Sequence, residues 1–373
     1  MKKKYVLQLC HDYNMPFMDV ARQYASLFQD TDYGLITVFL IGGKNDDVAK
    51  KVNSERVIFL ENSSRDLRGL KRKQIEQIRR ICGQYDFKFS IAHRYQAFFI
   101  LRHIKNLPVI GVHHRYGVYK RFRRRWFVNI NKKNLYLLGV SNAIRDDIRR
   151  SLPNISQNQI HSLYNRIDIE QVELNQVNRF NAREYLGISQ EKYVFANVGR
   201  LHPEKDQHTL ISAFAKITSS LPNAILVILG KGPLESDLKS HVKELKIESK
   251  VKFMGVVPDA INYFKAFDCF VLSSNCEPFG MVLLEAIAAQ LPIIATNTGG
   301  PKEIIKNKSC LFDVGDVKGL SELMSKICHI TNIEKNNITQ MNRRLMEDEF
   351  SYNAVKQAFW TLPFMLSLLS DTK

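Results

Sequence analysis

Short apolar runs alternate with amphipathic stretches along the whole of this 373-residue chain, and that alternation restricts its fold more than any other feature. The runs YVLQLC (5–10), LITVFLIG (35–42), VIFL (57–60), FSIAH (89–93), PVIGVHH (108–114) and LYLLGVS (135–141) are short and apolar on both faces, which predicts strands buried on both sides. Between them, PFMDVARQYASLF (16–28), LRGLKRKQIEQIRRICGQY (67–85) and NAIRDDIRRSL (142–152) read as helices. The second half repeats the theme, with strands at YVFANVG (193–199), AILVILG (224–230), KVKFMG (250–255), CFVLSS (269–274), PIIATN (292–297) and CLFDV (310–314). Its helices fall at 206–221, 233–247 and 280–290. Alternating β and α predicts an α/β protein with parallel, doubly wound sheets. Two such blocks, parted by a polar Asn/Gln-rich stretch near 165–190, predict two domains, 1–170 and 171–350, with a C-terminal helix at 351–373 packing back on the first. Ligands of such sheets bind at the carboxyl ends of the strands, so two joined domains are expected to enclose a cleft there.

Composition narrows the functional class. Hydrophobic residues make up 45% and charged residues 24% of the chain, the balance of a globular protein and not of a disordered one. No apolar run reaches the roughly 18 residues of a bilayer span, the longest tract being AFWTLPFMLSLL at 358–369. The basic start MKKKYVLQLC passes at once into the polar HDYN and lacks the apolar centre of a signal peptide. The six cysteines are scattered without a CxxC spacing, which predicts reduced thiols and no zinc site. A cytoplasmic chain is the expectation. The net charge of +17 is uneven: residues 1–185 hold 33 Lys and Arg against 17 Asp and Glu, a net of +16, whereas residues 186–373 hold 21 against 20, a net of +1. Such asymmetry points one half at a polyanion, whether nucleic acid, anionic membrane or acidic substrate; the plain alternative is a soluble surface that happens to be basic.

Several constellations in the second half carry chemistry. In NVGRLHPEKDQHTLI (197–211), Arg200 follows the end of a strand and Lys205 stands just before a helix. Two cations at a strand's mouth suit a diphosphate, Arg as a fork and Lys as a point charge; a solvated basic loop is the alternative. In SSNCEPFGMVLLEAIA (273–288), Glu277 lies on a loop interrupted by Pro278 and Gly280, and Glu285 about a turn and a half into the helix that follows. The first amides of that helix, from Phe279, Gly280 and Met281, can donate to a phosphate or to sugar hydroxyls, helped by the helix dipole. A carboxylate with two acceptor oxygens suits the paired hydroxyls of a ribose or sugar. Glu285 sits among apolar neighbours, which argues against a mere surface charge. In GKGPLESDL (230–238), Gly230 and Gly232 permit close backbone approach, and NTGGPKEII (297–305) places Gly299 and Gly300 after another strand.

Taken in order, GR-x4-K, G-K-G-P-L, F-x-G-x-V, E-P-F-G-x4-E and G-G-P-x-E across 193–305 resemble the donor-binding domain of the retaining GT-B glycosyltransferases of family 4, the glycosyl transferases group 1, of the lipopolysaccharide or surface-glycan type. The resemblance implies the GT-B fold, two doubly wound Rossmann-like domains facing a central cleft, the first for the acceptor and the second for the nucleotide-sugar donor. It implies transfer of a hexose to a lipid-linked or lipopolysaccharide-type glycan with retention of configuration. Arg200 and Lys205 would then hold the donor diphosphate, with Gly230 and Gly232 beside the donor. Glu277 would contact the transferred sugar together with the amides of Phe279, Gly280 and Met281, Glu285 would bind the nucleotide ribose, and the segment ending at Val257 would lie by the base. No cofactor and no metal are expected, because the cations and the helix N-terminus neutralise the leaving group; the one DxD, Asp30-Thr31-Asp32, lies in the other half. A UDP-sugar is expected over a GDP-sugar. Since no nucleophile can be assigned, the implied route is same-face attack, with the departing phosphate taking the acceptor's proton.

The resemblance thins in the first half. PVIGVHHRYG (108–117) is similar to the family's strand ending in a His on the acceptor side, which would place His113 or His114 beside the transferred sugar, and His113 among the catalytic residues with Glu277, Arg200 and Lys205. LYNRID (163–168) resembles the family's N-G-I-D with Arg166 in place of Gly, and the loop HDYNMPF (11–17) lacks the family's glycines. RYGVYKRFRRRWFVNINKK (115–133) carries eight Lys or Arg and five aromatics. Aromatics beside cations suit an anionic membrane surface, which would make Arg121, Arg123, Arg124, Arg125 and Trp126 docking residues on the cytoplasmic face of an inner membrane. Nucleic acid, or a solvated helix packing Tyr116, Phe122 and Trp126 inward, would use the same residues. The expected partners are therefore donor, glycan or lipid-linked acceptor and membrane, and no nucleic acid. A nucleic-acid-binding α/β protein explains the basic half but not Glu277, Glu285 and the glycine register; a sugar-nucleotide epimerase of the same fold would act without an acceptor.

Overall fold

Each apolar run becomes a strand. The computed structural model describes residues 3–14 and 17–370; residues 1–2, 15–16 and 371–373, which belong to the basic N-terminal run, the loop 11–17 and the end of the expected C-terminal helix, lie outside the described residues. The chain forms two units, one comprising the chain up to Arg166 and again from Tyr352 on, the other Ile167–Ser351.

In the first unit the strands are β1 (Lys4–Cys10), β2 (Tyr33–Ile41), β3 (Arg56–Asn62), β4 (Phe87–His93), β5 (Val109–His113), β6 (Leu135–Gly139) and β7 (Ile160–Ser162). They pair in the order β3-β2-β1-β4-β5-β6-β7, parallel throughout. The order reverses between β1 and β4, the crevice where doubly wound sheets take their ligands. Val6, Leu7, Ile36, Val38, Ile91, Val109, Ile110 and Leu137 have no exposure, as expected of strands covered on both faces.

The second unit holds β8 (Tyr193–Val198), β9 (Ala224–Leu229), β10 (Val251–Gly255), β11 (Cys269–Leu272), β12 (Ile293–Thr296) and β13 (Leu311–Phe312). Their order is β10-β9-β8-β11-β12-β13, again parallel, with the reversal between β8 and β11. Phe195, Leu226, Ile228 and Val271 pack with Leu210 and Phe214 of the helix Gln207–Ile217 and with Leu320 and Met324 of Val317–Ile327.

Two segments differ from the sequence expectation. The stretch 165–190 is not an open linker: it folds into the helices Ile169–Asn175 and Arg179–Tyr185, capped by Asp168 and Asn178, and from Ile167 on it belongs to the second unit. Its anchor is Arg183, wholly buried, which donates to the carbonyls of Ser189, Gln190, Lys192 and Ala266 and to Asp268 at 2.7 Å. The chain end is two helices, Tyr352–Trp360 and Pro363–Ser370, because Pro363 cannot continue the first. Within the first unit, Trp360 Nε1 donates to the Leu27 carbonyl at 2.9 Å, Tyr352 hydroxyl donates to the Ser26 carbonyl at 3.1 Å, and the rings of Phe359 and Trp360 meet Phe28 edge-on. Arg166, in the place of the family's Gly, is used here: its Nε donates to Ser26 Oγ at 3.0 Å and its guanidinium covers the Tyr352 ring. Among the described residues no helix is long and apolar enough to cross a membrane.

Candidate active site

The mouth of β8 is built by backbone closing on backbone. Gly199 N donates to the Leu229 carbonyl at 3.0 Å and Leu201 N to the Lys231 carbonyl at 3.1 Å, so the turn after β8 is laced to the turn after β9. The two glycines of that second turn make the lacing possible. A Cβ on Gly230, whose φ is +133°, would lie 1.9 Å from the Gly199 carbonyl oxygen, and one on Gly232 would lie 2.1 Å from that of Leu201. Gly230 and Gly232 thus leave room for the arginine loop itself, a reason that the spacing alone did not disclose. Gln207 Nε2 donates to the Arg200 carbonyl at 3.0 Å and fixes the backbone there. The Arg200 side chain is exposed and makes no hydrogen bond or ion pair among the described residues.

Lys205 and Glu277 are brought together. Lys205 ends the short turn Pro203–Lys205, its carbonyl accepting from Ser273 Oγ at 2.9 Å. Its Nζ lies 2.5 Å from Glu277 Oε2, which also accepts from Ser274 Oγ at 3.3 Å. Glu277 is only 8% exposed. The loop carrying it is held from the far side: Gly300 N donates to the Glu277 carbonyl at 3.0 Å, and a Cβ on Gly300 would stand 2.2 Å from the Phe279 carbonyl oxygen. The Phe279 ring is buried edge-on against Phe350, so only its backbone could serve a ligand. Gly280, at φ +103°, turns the chain into the helix Met281–Ala288, where Leu283 N donates to the Gly280 carbonyl at 2.9 Å. Glu285 is half-buried in that helix, Met281 is half-buried at its start, and Val257 is half-buried just beyond β10. The sequence reading gave Lys205 to a phosphate and Glu277 to a sugar; the structure adds that the two form one partly buried ion pair.

In the first unit, His113 ends β5 with 1% exposure, and its Nε2 lies 2.8 Å from the Tyr119 hydroxyl. Burial first, then the charges of His114, Arg124 and Arg115, lower its pKa to about 3. Burial and Arg94 lower that of His114 to about 4. Both imidazoles are therefore neutral near pH 7. A histidine whose folded pKa lies below its unfolded value binds protons preferentially in the unfolded chain, so its stabilising contribution is complete above about pH 6.5 and is lost as pH falls toward the folded value. Each such group costs about 1.4 kcal/mol per pH unit inside that window. Urea midpoints are expected to drop stepwise from pH 7 to pH 5, less steeply in His113→Gln; a flat profile in the wild type would contradict the burial of these groups.

The basic aromatic stretch divides. The helix Phe122–Ile130 displays Phe122, Trp126 and Ile130 at 69%, 56% and 59% exposure, one stripe at i, i+4 and i+8. Phe122 and Trp126 thus do not pack inward. Lys120, Arg121, Arg123, Lys132 and Lys133 are exposed around them. Arg124 and Arg125 are a correction to the expected docking set: Arg124 donates to the Val118 carbonyl at 3.0 Å and lies over the Tyr95 ring, and Arg125 donates to the Lys120 carbonyl at 3.1 Å. Both hold the preceding loop.

Residues that the sequence reading passed over are His11, His93, Arg94 and Arg115. The rule that picked out His113, a polar side chain at a strand's carboxyl end, applies equally to β1 and β4.

Residues 178–344, within the second unit, match the family model Glycosyl transferases group 1. Over 171 residues the chain is 29% identical to the lipopolysaccharide core biosynthesis glycosyltransferase LpsE of Rhizobium meliloti, covering 45% of this chain and 49% of that one. The chain matches only 30–55% of the length of such curated relatives. A glycosyltransferase from Rickettsia africae superposes with a TM-score of 0.83 at 17% identity, covering 99% of both chains. Anabaena HepE, solved in complex with UDP-glucose, superposes with a TM-score of 0.76 at 18% identity, covering 98% of this chain and 99% of that one. The fold is that of the GT-B glycosyltransferases, two parallel-sheet Rossmann-like units.

Proposed function

We propose that the chain is a retaining glycosyltransferase that moves a hexose from a nucleoside-diphosphate sugar, a UDP-sugar in the first instance, to a glycan or lipid-linked acceptor. The observation that carries this reading is the pairing of Lys205 with Glu277 across the turns that follow β8 and β11, where the sheet order reverses, with the exposed, partnerless Arg200 on the same turn after β8. A diphosphate would be held by Arg200 as a fork and by Lys205, with amides at the start of Met281–Ala288 adding their dipole. Glu277 would meet the sugar and Glu285 the ribose. In the transfer, the bond from the anomeric carbon to the phosphate oxygen breaks, and a bond to the acceptor oxygen forms on the same face. The acceptor's proton passes to the departing phosphate. Stabilising the charge of that leaving group is the main catalytic contribution of Arg200 and Lys205, and no metal is assigned a part. The test is UDP release from a panel of UDP-, GDP- and ADP-sugars: turnover of at least one supports the reading, and release from none of them overturns it. An epimerase would instead return an epimer without any acceptor.

Support for an acceptor at an anionic membrane comes from the exposed stripe Phe122, Trp126 and Ile130 set among Lys120, Arg121, Arg123, Lys132 and Lys133. Aromatic rings enter the interface while each cation contributes about 1 kcal/mol against anionic headgroups. Replacing Arg121 and Arg123 by Gln and Trp126 by Ala is expected to abolish sedimentation with anionic vesicles while leaving donor hydrolysis nearly unchanged. Salt should release the wild type, because the attraction is screened over about 8 Å at physiological ionic strength. Equal sedimentation with neutral vesicles would refute docking, and tighter binding to RNA than to vesicles would favour a nucleic-acid partner.

A further inference from the structure

The carboxyl ends of β1, β4 and β5 gather His11, Asp12, His93, Arg94, His114 and Arg115 at the reversal of the first sheet. This is the loop region without the glycines that the resemblance led one to expect. Its charge is lopsided: these six residues include one carboxylate, Asp12, and two guanidiniums, Arg94 and Arg115. Arg94 lies over the Phe17 ring at 3.5 Å and its Nη1 is 3.9 Å from Asp12 Oδ2, too far for a hydrogen bond. Arg115 is exposed and has no hydrogen bond or ion pair among the described residues. Burial, reinforced by Arg94, lowers the pKa of both His11 and His114, so the imidazoles add no charge near neutrality.

The second observation is a set of orphaned nitrogens. His11 Nδ1, His93 Nδ1 and His114 Nε2 are buried and have no hydrogen-bond partner. His93, 3% exposed, stands with its ring 5.7 Å from that of His114, and its Nε2 lies 3.4 Å from Gln8 Oε1. Gln8 Nε2 already donates to the Ala21 carbonyl and to Thr37 Oγ1, so Gln8 Oε1 must accept and His93 Nε2 carries the proton. His93 Nδ1 is then a fixed lone pair, an acceptor without a donor, in a cluster with an excess of guanidinium.

Guanidiniums call for an anion, and an orphaned acceptor calls for a hydroxyl. We propose that this cluster binds the acceptor substrate through an anionic group, phosphate or carboxylate, held by Arg94 and Arg115, with a neighbouring hydroxyl of the same molecule donating to the imidazoles. The inference rests on the proposed transferase reading and narrows its acceptor to a hydroxylated anion.

The test uses the full chain with 13C-labelled histidine, its ten imidazoles followed by NMR during titration with inorganic phosphate and, separately, with malate. The signals of His11 and His114, assigned through His11→Gln and His114→Gln, should move and saturate. Arg94→Asn, whose side chain tolerates the positive φ at that position, should raise the half-saturating concentration about tenfold or more, as should Arg115→Gln. Tighter binding of phosphate would mark a phosphorylated acceptor, and tighter binding of malate a hydroxy-acid. Arg200→Ala should leave these titrations unchanged, which separates the cluster from the donor site. Absence of saturation up to roughly 100 mM of either anion, or identical titrations in the arginine variants, would overturn the proposal. Saturable shifts in a chain that binds none of UDP, GDP and ADP would keep the anion site and refute the transferase reading instead.

Discussion

Glu277→Gln is expected to cut donor turnover by about 100-fold or more while binding free UDP at least as tightly as the wild type. The two effects have separate causes. Turnover falls because a carboxylate facing the reacting sugar becomes a neutral amide, losing an electrostatic contact that a preorganised site supplies without reorganisation. UDP affinity holds or rises because Lys205, now paired with Glu277 at 2.5 Å, is released from its carboxylate and faces the diphosphate with its full charge. Stopped assays of UDP release at saturating donor give the first quantity and calorimetry gives the second. Undiminished turnover would show that Glu277 merely neutralises Lys205. Weakened UDP binding with intact turnover would invert the proposed roles of the pair.

Gly230→Ala is expected to cost about 3 kcal/mol or more of stability and to remove UDP binding with it. The added methyl would stand 1.9 Å from the Gly199 carbonyl oxygen at a φ of +133°, so clash and backbone strain act together and the Arg200 turn must move. Gly43→Ala is the matching control. Its Cβ meets nothing within 4 Å, so its stability should stay within about 0.5 kcal/mol of wild type. A Gly230→Ala protein as stable as Gly43→Ala, with normal UDP binding, would refute the account of how the arginine loop is held.

The frame of both units was open to sequence reading because a strand buried on both faces must be apolar throughout. AILVIL at β9 and YVLQLC at β1 admit few other folds, and one interior polar residue, Gln8, does not hide the pattern. The glycine positions at the mouth of β8 were legible for a similar reason, since a tight strand-end turn needs glycine at fixed offsets. What lay out of reach depended on side-chain direction. Arg121, Arg123, Arg124 and Arg125 look alike in the sequence, yet two turn back onto their own loop while two face outward, and only tertiary packing decides which. The Asn/Gln-rich stretch resembled a linker because its anchor is one buried arginine, Arg183, and not an apolar face. The cluster at β1, β4 and β5 joins His11, His93 and His114 across about a hundred residues of sequence, and no local spacing announces it.

The central claim is that the mouth of β8 and β11 is a nucleoside-diphosphate site, and calorimetric titration of UDP, GDP and ADP into wild type and Arg200→Ala tests it most directly. The account predicts saturable binding of one nucleoside diphosphate per chain, weakened in Arg200→Ala by about 1.5–3 kcal/mol, the range for hydrogen bonds to charged groups, with the unfolding midpoint unchanged. Saturable binding of none of UDP, GDP and ADP by the wild type, or equal affinity of the two proteins for the diphosphate that binds, would contradict it.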